Sequence, residues 1–318
     1  MRSDWDKLVG PVKRAGGQGT RLWPMSRTAR PKQFRSLSGD RSLYRQTLQR
    51  FADPMRYLPP VVMTNAEYRF LVSEQAQEVG LTPDAVLLEP VSRNTTAAIA
   101  AAACHIARTL GPDTIMHVAP SDHAVAMDDL YWSAVDLAIA TASQDLLVTF
   151  GISPRTPETG YGYIEVGDPL ATGAFRIARF VEKPDLATAK SMLSEGRYCW
   201  NSGMFMLRAS TFIEQCRLLA PDVLNAAEGA VAAAKTDLDF IRLDAESFAT
   251  APDISVDYAI FEHTSAAAMV KSTFEWSDLG SWDSVWQSGT KDDAGNYVSG
   301  PATLNGTGTL IMEARRVG

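Results

Sequence analysis

Short runs of β-branched and other apolar residues alternate along this chain with longer amphipathic stretches, and that alternation restricts its fold more than any other feature. The runs that read as strands cover 60–64, 85–88, 114–119, 146–150, 175–181, 200–207 and 267–271. The stretches between and around them read as helices over 42–51, 67–79, 95–110, 129–141, 186–194 and 210–219. In the fourth of these, Trp132, Val135 and Ile139 fall on one face behind an acidic first turn, and Asp185 stands where the fifth needs its N-cap. Strands alternating with helices demand crossover connections, so the expectation is an α/β fold with a mainly parallel mixed sheet covered by helices on both faces.

The 318 residues are 46% apolar and 21% charged, which suits a soluble globular chain with ample core-forming residues. A formal charge of −7, with no Lys/Arg run, speaks against a nucleic-acid partner, while a nucleotide needs only a few local cations. Three widely spaced cysteines (Cys104, Cys199, Cys216) build neither a disulfide framework nor a zinc site. The first residues carry no apolar secretory core, and the longest low-polarity stretch, 97–104, is too short to cross a bilayer. The expected compartment is the cytoplasm. From about residue 290 glycines punctuate short polar runs, so the chain divides into a domain over 1–289 and a small β-rich C-terminal segment over 290–318.

The chemistry begins in the loop Gly16-Gly17-Gln18-Gly19-Thr20-Arg21, followed by Lys32. Three glycines in four positions let the backbone come close to a ligand, and successive amides there form an anion-binding concavity. Arg21 and Lys32 add fixed positive charge for a polyphosphate. Neither the dinucleotide fingerprint nor the P-loop fits: Leu22 stands where the first needs glycine, and the second needs a Gly-Lys-Ser/Thr that is absent.

Gly-Gly-x-Gly-Thr-Arg-Leu-Trp-Pro-x-Ser-Arg followed by Pro31-Lys32-Gln33-Phe34 resembles the opening of bacterial mannose-1-phosphate guanylyltransferases, in the sugar-phosphate nucleotidyltransferase superfamily. The likeness continues in order through Glu89-Pro90-Val91-Ser92-Arg93-Asn94-Thr95, Pro120-Ser121-Asp122-His123, Glu158-Thr159-Gly160-Tyr161-Gly162-Tyr163, Phe180-Val181-Glu182-Lys183-Pro184, Trp200-Asn201-Ser202-Gly203, Ser255-Val256-Asp257-Tyr258 and Trp276-Ser277-Asp278-Leu279-Gly280. It implies a Rossmann-like nucleotidyltransferase domain. The implied reaction is in-line attack of mannose 1-phosphate on the α-phosphorus of GTP, giving GDP-mannose and pyrophosphate. Such a reaction asks for aligned anions and for positive charge where negative charge builds up.

The resemblance also distributes roles. Arg21, Lys32 and Lys183 are the catalytic cations; Gly16, Gly17, Gly19, Thr20, Glu89, Arg93, Asn94 and Ser121 are placed at the nucleotide, with Glu89 as a reader of guanine. Gly160, Tyr161, Glu182 and Asn201 are placed at the sugar, and Asp122 and Asp278 at a Mg²⁺ ion, whose preference is for hard oxygen ligands. Independently of the resemblance, Asp122 follows an apolar strand, so it falls at the carboxyl edge where open α/β sheets bind ligands. Asn94-Thr95 has a second reading, as the start of the following helix. Ser121-Asp122-His123 is no nucleophilic triad, since neighbours in extended chain point apart.

The partners implied are GTP and mannose 1-phosphate, with neither nucleic acid nor membrane, and a homodimer as the assembly to test. Two rival readings remain: a thymidylyl- or uridylyltransferase acting on glucose 1-phosphate, and a non-catalytic nucleotide-sugar-binding subunit. One departure stands out. Lys13-Arg14 occupies the place of the family's apolar first strand, and two cations in a doubly covered strand are expensive unless paired or hydrated. Some members continue into an isomerase domain; with no such segment after residue 318, isomerase activity is not expected here.

Overall fold

The computed structural model describes residues 12–13, 22–27, 31–37, 39–299 and 308–312. Its strands in chain order are β1 (Val12–Lys13), β2 (Val61–Asn65), β3 (Ala85–Glu89), β4 (Ile115–Pro120), β5 (Ala124–Val125), β6 (Leu147–Ile152), β7 (Tyr163–Pro169) and β8 (Phe175–Val181). They continue with β9 (Tyr198–Arg208), β10 (Lys235–Asp237), β11 (Phe240–Arg242), β12 (Ala267–Ser272), β13 (Trp276–Ser277), β14 (Tyr297–Ser299) and β15 (Leu310–Met312). The helices are α1 (Leu43–Arg50), α2 (Arg69–Glu78), α3 (Asn94–Thr109), α4 (Asp129–Ala142), α5 (Leu186–Glu195), α6 (Ala209–Leu219), α7 (Pro221–Ala232), α8 (Ala245–Ala249) and α9 (Trp282–Ser288).

Among the described residues eleven strands form one sheet in the order β10-β11-β3-β2-β1-β4-β9-β6-β12-β8-β7. From β11 to β4 every pairing is parallel, with Val12 of β1 held between Val62 and Ala119. Beyond β4 the pairings are antiparallel except β12 on β6. The parallel half presents the carboxyl ends of β3 and β4 on one edge, and the antiparallel half brings β7 to β9 beside that edge.

Alternation along each strand divides the sheet's side chains between two cores. Val61, Met63, Leu87, Met116, Val118, Phe205 and Leu207 face α3, α6, α7 and α8. Val62, Val86, Leu88, Ile115, Ala119, Met204 and Met206 face α1, α2 and α4. Within α3 every residue from Ala97 to Ala103 is at most 3% exposed, so the low-polarity stretch is the inside of a three-layer protein. Its alanines meet Ala226, Ala227 and Ala230 of α7 in the same core, where the absence of longer side chains permits close helix approach. Among the described residues no helix is long and apolar enough to cross a membrane.

The strands and helices anticipated from the sequence are present with ends shifted by a residue or two. Helix α7 was not anticipated: it begins with Pro221 at its first turn, and half of its six buried positions are alanine, so its apolar face is a weak periodic signal. Strand β7 was missed because its second half is exposed and carries Gly167 and Asp168. The C-terminal segment forms a parallel pair, β14 with β15. Tyr297 carries it onto a third core of Leu22, Leu37, Leu43, Leu279 and Val285, against which Trp282 and Trp286 are half-buried. The backbone of Lys13 pairs with Pro120 of β4, placing it in mid-sheet. Arg14, and the loop residues Gly16, Gly17, Gly19, Thr20 and Arg21, lie outside the described residues.

Candidate functional site

Strand β4 ends at Pro120, and the chain turns there through Ser121 and Asp122, both nearly buried at 3% and 4% exposure. A partner of Asp122 comes from much earlier in the chain. Lys32 opens a single 3₁₀ turn (Lys32–Phe34), and its Nζ stands 2.9 Å from Asp122 Oδ2 and donates to the Asp278 carbonyl at 2.6 Å. One ammonium is thus held by oxygen atoms of two segments 156 residues apart in the chain, which shows that Asp122 and Asp278 converge on a place shaped for a cation.

Asp278 follows β13 and precedes α9. Its Oδ1 accepts from the Tyr161 hydroxyl at 2.8 Å and from the Gly280 amide at 2.9 Å. Burial, then the Asp278 charge, raises the Tyr161 pKa, so the phenol stays protonated and donates. The next residue, Leu279, takes a left-handed φ of 46° while fully buried in the third core, a strain that the surrounding packing maintains. An aromatic bridge joins the two acidic segments: Tyr161 packs edge-on against Trp276, and Trp276 edge-on against His123. The Trp276 indole N–H donates to His123 Nδ1 at 3.3 Å, which leaves the imidazole proton on Nε2, 3.8 Å from Asp122 Oδ1. Burial lowers the His123 pKa more than Asp122 raises it, so the ring is neutral.

Across the cleft, β8 ends at Val181, and Glu182 pairs with Lys183. Lys183 adopts a φ of 46°, immediately before Pro184 stops the strand. Asn201, in β9, has its carbonyl oxygen fixed by the Thr149 hydroxyl at 2.8 Å, and its amide donates to Asp257 Oδ1 at 2.7 Å. Asp257 opens a π-helical turn (Asp257–Phe261), a rare irregularity that is frequent at functional sites. The block around Asp257 belongs to the sequence pattern, but nothing in that pattern assigns Asp257 a role. Its polar contact with Asn201 arises only after β9 and that turn are folded together.

These groups line one cleft of about 250 Å³, whose walls include Asp122, His123, Gly160, Tyr161, Gly162, Glu182, Lys183, Asn201, Asp257, Trp276 and Asp278. Asp122, Asp278, Gly160, Tyr161, Glu182, Lys183 and Asn201 are therefore brought together from separate stretches of sequence. A Cβ built on Gly160 meets nothing within 4 Å, so the fold itself makes no demand for glycine there and the open space belongs to the cleft.

Glu89, Arg93, Asn94 and Ser121 are not among those walls, although Thr95 is. Glu89 is buried at the end of β3, 6% exposed. The Arg93 guanidinium donates twice to the Ala249 carbonyl, at 3.1 and 2.6 Å, tying the start of α3 to α8. Asn94 takes a φ of 58°, and its side-chain oxygen accepts from the Thr95 amide. Thr95 in turn accepts from the Val256 amide, so this block organises the helix start and its junction with the Asp257 turn.

The oxygen donors are of the kind a hard divalent cation takes: the Asp122 carboxylate and the Asp278 carbonyl hold an ammonium between them, and Asp278 lines the same cleft. Among the described residues no cluster of three or more His, Cys, Asp or Glu could hold a metal ion by itself.

The sequence pattern of the nucleotidyl transferase family matches residues 14–294. A mannose-1-phosphate guanylyltransferase from Sinorhizobium fredii is 49% identical over 302 residues, which is 95% of this chain and 59% of that protein. The xanthan biosynthesis protein XanB of Xanthomonas campestris pv. campestris is 47% identical over 292 residues, covering 92% of this chain and 62% of the relative. The chain thus spans about three fifths of the length of these curated relatives. A crystal structure titled mannose-1-phosphate geranyltransferase, from Thermus thermophilus, superposes with a TM-score of 0.79 at 30% identity, covering 96% of this chain and 89% of that one.

Proposed function

The chain belongs to the nucleotidyl transferase family, and from that premise we propose that it transfers GMP from GTP to mannose 1-phosphate, giving GDP-mannose and pyrophosphate. Relatives named mannose-1-phosphate guanylyltransferase, at 43–49% identity over more than nine tenths of the chain, support the choice of substrates. The observation that carries the reading is the cleft itself. At one wall Lys32 is held between Asp122 and Asp278; at the other, Glu182, Lys183 and Asn201 stand together.

In this reading Lys32 and Arg21 meet the triphosphate, and the glycines Gly16, Gly17 and Gly19 with Thr20 supply backbone amides to it. Lys183 meets the phosphate of the sugar and so offsets the repulsion between the two anions before they react. Glu182 accepts from sugar hydroxyls, Asn201 is held rigid for the same task by Thr149 and Asp257, and Tyr161 closes that end of the pocket while orienting Asp278. Asp122 and Asp278 would hold Mg²⁺, which when bound neutralises charge developing on the phosphates. Glu89 is assigned to guanine, with Arg93, Asn94 and Ser121 shaping that side of the nucleotide site through the start of α3 and the end of β4.

Product analysis tests the proposal. Purified protein with GTP, Mg²⁺ and mannose 1-phosphate is expected to yield GDP-mannose and one pyrophosphate per turnover, and Asp122→Asn to lose at least about 100-fold in rate (about 2.7 kcal/mol) while melting as wild type does. Faster turnover of dTTP or UTP with glucose 1-phosphate would overturn the guanylyl assignment. Wild-type rates in Asp122→Asn would remove that carboxylate from the reaction.

A further inference from the structure

Among the described residues Arg50 is the largest side chain to be fully buried, at 1% exposure. Burying a guanidinium is costly, and an apolar side chain of similar volume would fill the same space without that penalty. Its contacts indicate why it is there. Arg50 Nη2 donates to the His123 carbonyl at 2.7 Å. One helical turn earlier, on the same face of α1, the fully buried Thr47 donates from its hydroxyl to the Pro120 carbonyl at 3.5 Å. The two bonds therefore bracket Ser121 and Asp122, fixing the backbone on both sides of the carboxylate. The positive charge of Arg50 also acts on Asp122 directly through the dry interior.

The same helix carries the cation. Leu43 at its start donates its amide to the Arg35 carbonyl at 3.2 Å, and Tyr44 packs edge-on against Phe34, the last residue of the turn that Lys32 opens. Lys32 and Asp122 are thus both mounted on α1, and their 2.9 Å contact is a contact between two attachments of one rigid element.

We propose that Arg50, with Thr47 as its second tether, is the positioning residue for Asp122: α1 clamps the carbonyls of Pro120 and His123 and so holds the carboxylate in register with Lys32. The inference rests on Asp122 serving the reaction proposed above, and the experiment separates the two. Arg50→Met and Arg50→Lys are compared with wild type in steady-state turnover, in Mn²⁺ binding in the presence of GTP followed by electron paramagnetic resonance, and in melting temperature. Arg50→Met is expected to lower kcat about 10- to 100-fold, the range for groups that orient a metal ligand. KM for both substrates should stay within about twofold, Mn²⁺ should bind at least about tenfold more weakly, and Arg50→Lys, which can still reach one carbonyl, should recover part of each loss. Thr47→Val, which keeps the volume and removes only the second tether, should give the same pattern in smaller degree and carries the test if Arg50→Met does not fold. A folded Arg50→Met with wild-type kcat and Mn²⁺ affinity overturns the inference, as does a loss of activity that merely follows the unfolded fraction. An inactive Asp122→Asn beside a normal Arg50→Met would defeat the clamp alone; an active Asp122→Asn would defeat the site on which it rests.

Discussion

A single methyl group at Gly162 distinguishes a sugar-binding Glu182 from an ion pair on the rim of a cleft. Gly162 immediately precedes β7, and a Cβ there would lie 2.6 Å from Glu182 Oε2 and 3.2 Å from two atoms of the Phe180 ring. Phe180 is held in the core at 8% exposure, so the ring has little room to yield, and the carboxylate, the far end of a flexible side chain, must move. Displacing it from a sugar hydroxyl forfeits one charge-assisted hydrogen bond, about 1.5–3 kcal/mol, or roughly 10- to 100-fold in affinity. Gly162→Ala is therefore expected to raise KM for mannose 1-phosphate by that factor, with KM for GTP within about twofold and little change in melting temperature. Initial rates of pyrophosphate release, varying each substrate with the other saturating, give both constants. Gly160→Ala is the control, because its Cβ meets nothing in the protein within 4 Å, so any rise in KM there reports crowding of the ligand alone. An unchanged KM for mannose 1-phosphate in Gly162→Ala would refute the placement of Glu182 at the sugar.

Two further outcomes follow from groups outside the cleft. His117, fully buried with Nδ1 3.0 Å from the Tyr57 hydroxyl, has its pKa pushed down to about 3, first by burial and then by Arg50. A histidine depressed in the fold takes up its proton in the unfolded chain first, so stability is lost as pH falls below about 6.5 and continues to fall toward 3. Between pH 7 and 5 that amounts to about 2 kcal/mol from this one group, and denaturant unfolding of His117→Phe should show a pH dependence shallower by that amount; parallel curves would contradict it. Gly289→Ala would drive a Cβ into the Tyr297 ring, whose hydroxyl reaches the Leu37 carbonyl at 3.4 Å. Overpacking of this kind destabilises by about 1–3 kcal/mol, read as a lower melting temperature and faster proteolysis after residue 289, and an unchanged melting curve would show that the C-terminal pair is not docked through Tyr297.

By itself the sequence determined the α/β alternation, and with it the edge on which Asp122 falls, because strand and helix periods are local properties written in the spacing of apolar residues. It also carried the family, since the blocks from Gly16 to Gly280 keep their chemistry and order whatever their distance apart. What it could not contain was who meets whom. That Lys32 stands between Asp122 and the Asp278 carbonyl, that Tyr161 orients Asp278, and that Asp257 holds Asn201 are contacts between strands and turns far apart in the chain. The same holds for Arg93, read as a nucleotide residue from its block, whose guanidinium the fold engages with the Ala249 carbonyl, and for Arg50, which in sequence is one more cation on an amphipathic helix. Periodicity sets which face a residue occupies; only packing of the sheet against its helices decides which distant face lies opposite, and the chemistry of this cleft is made of those meetings.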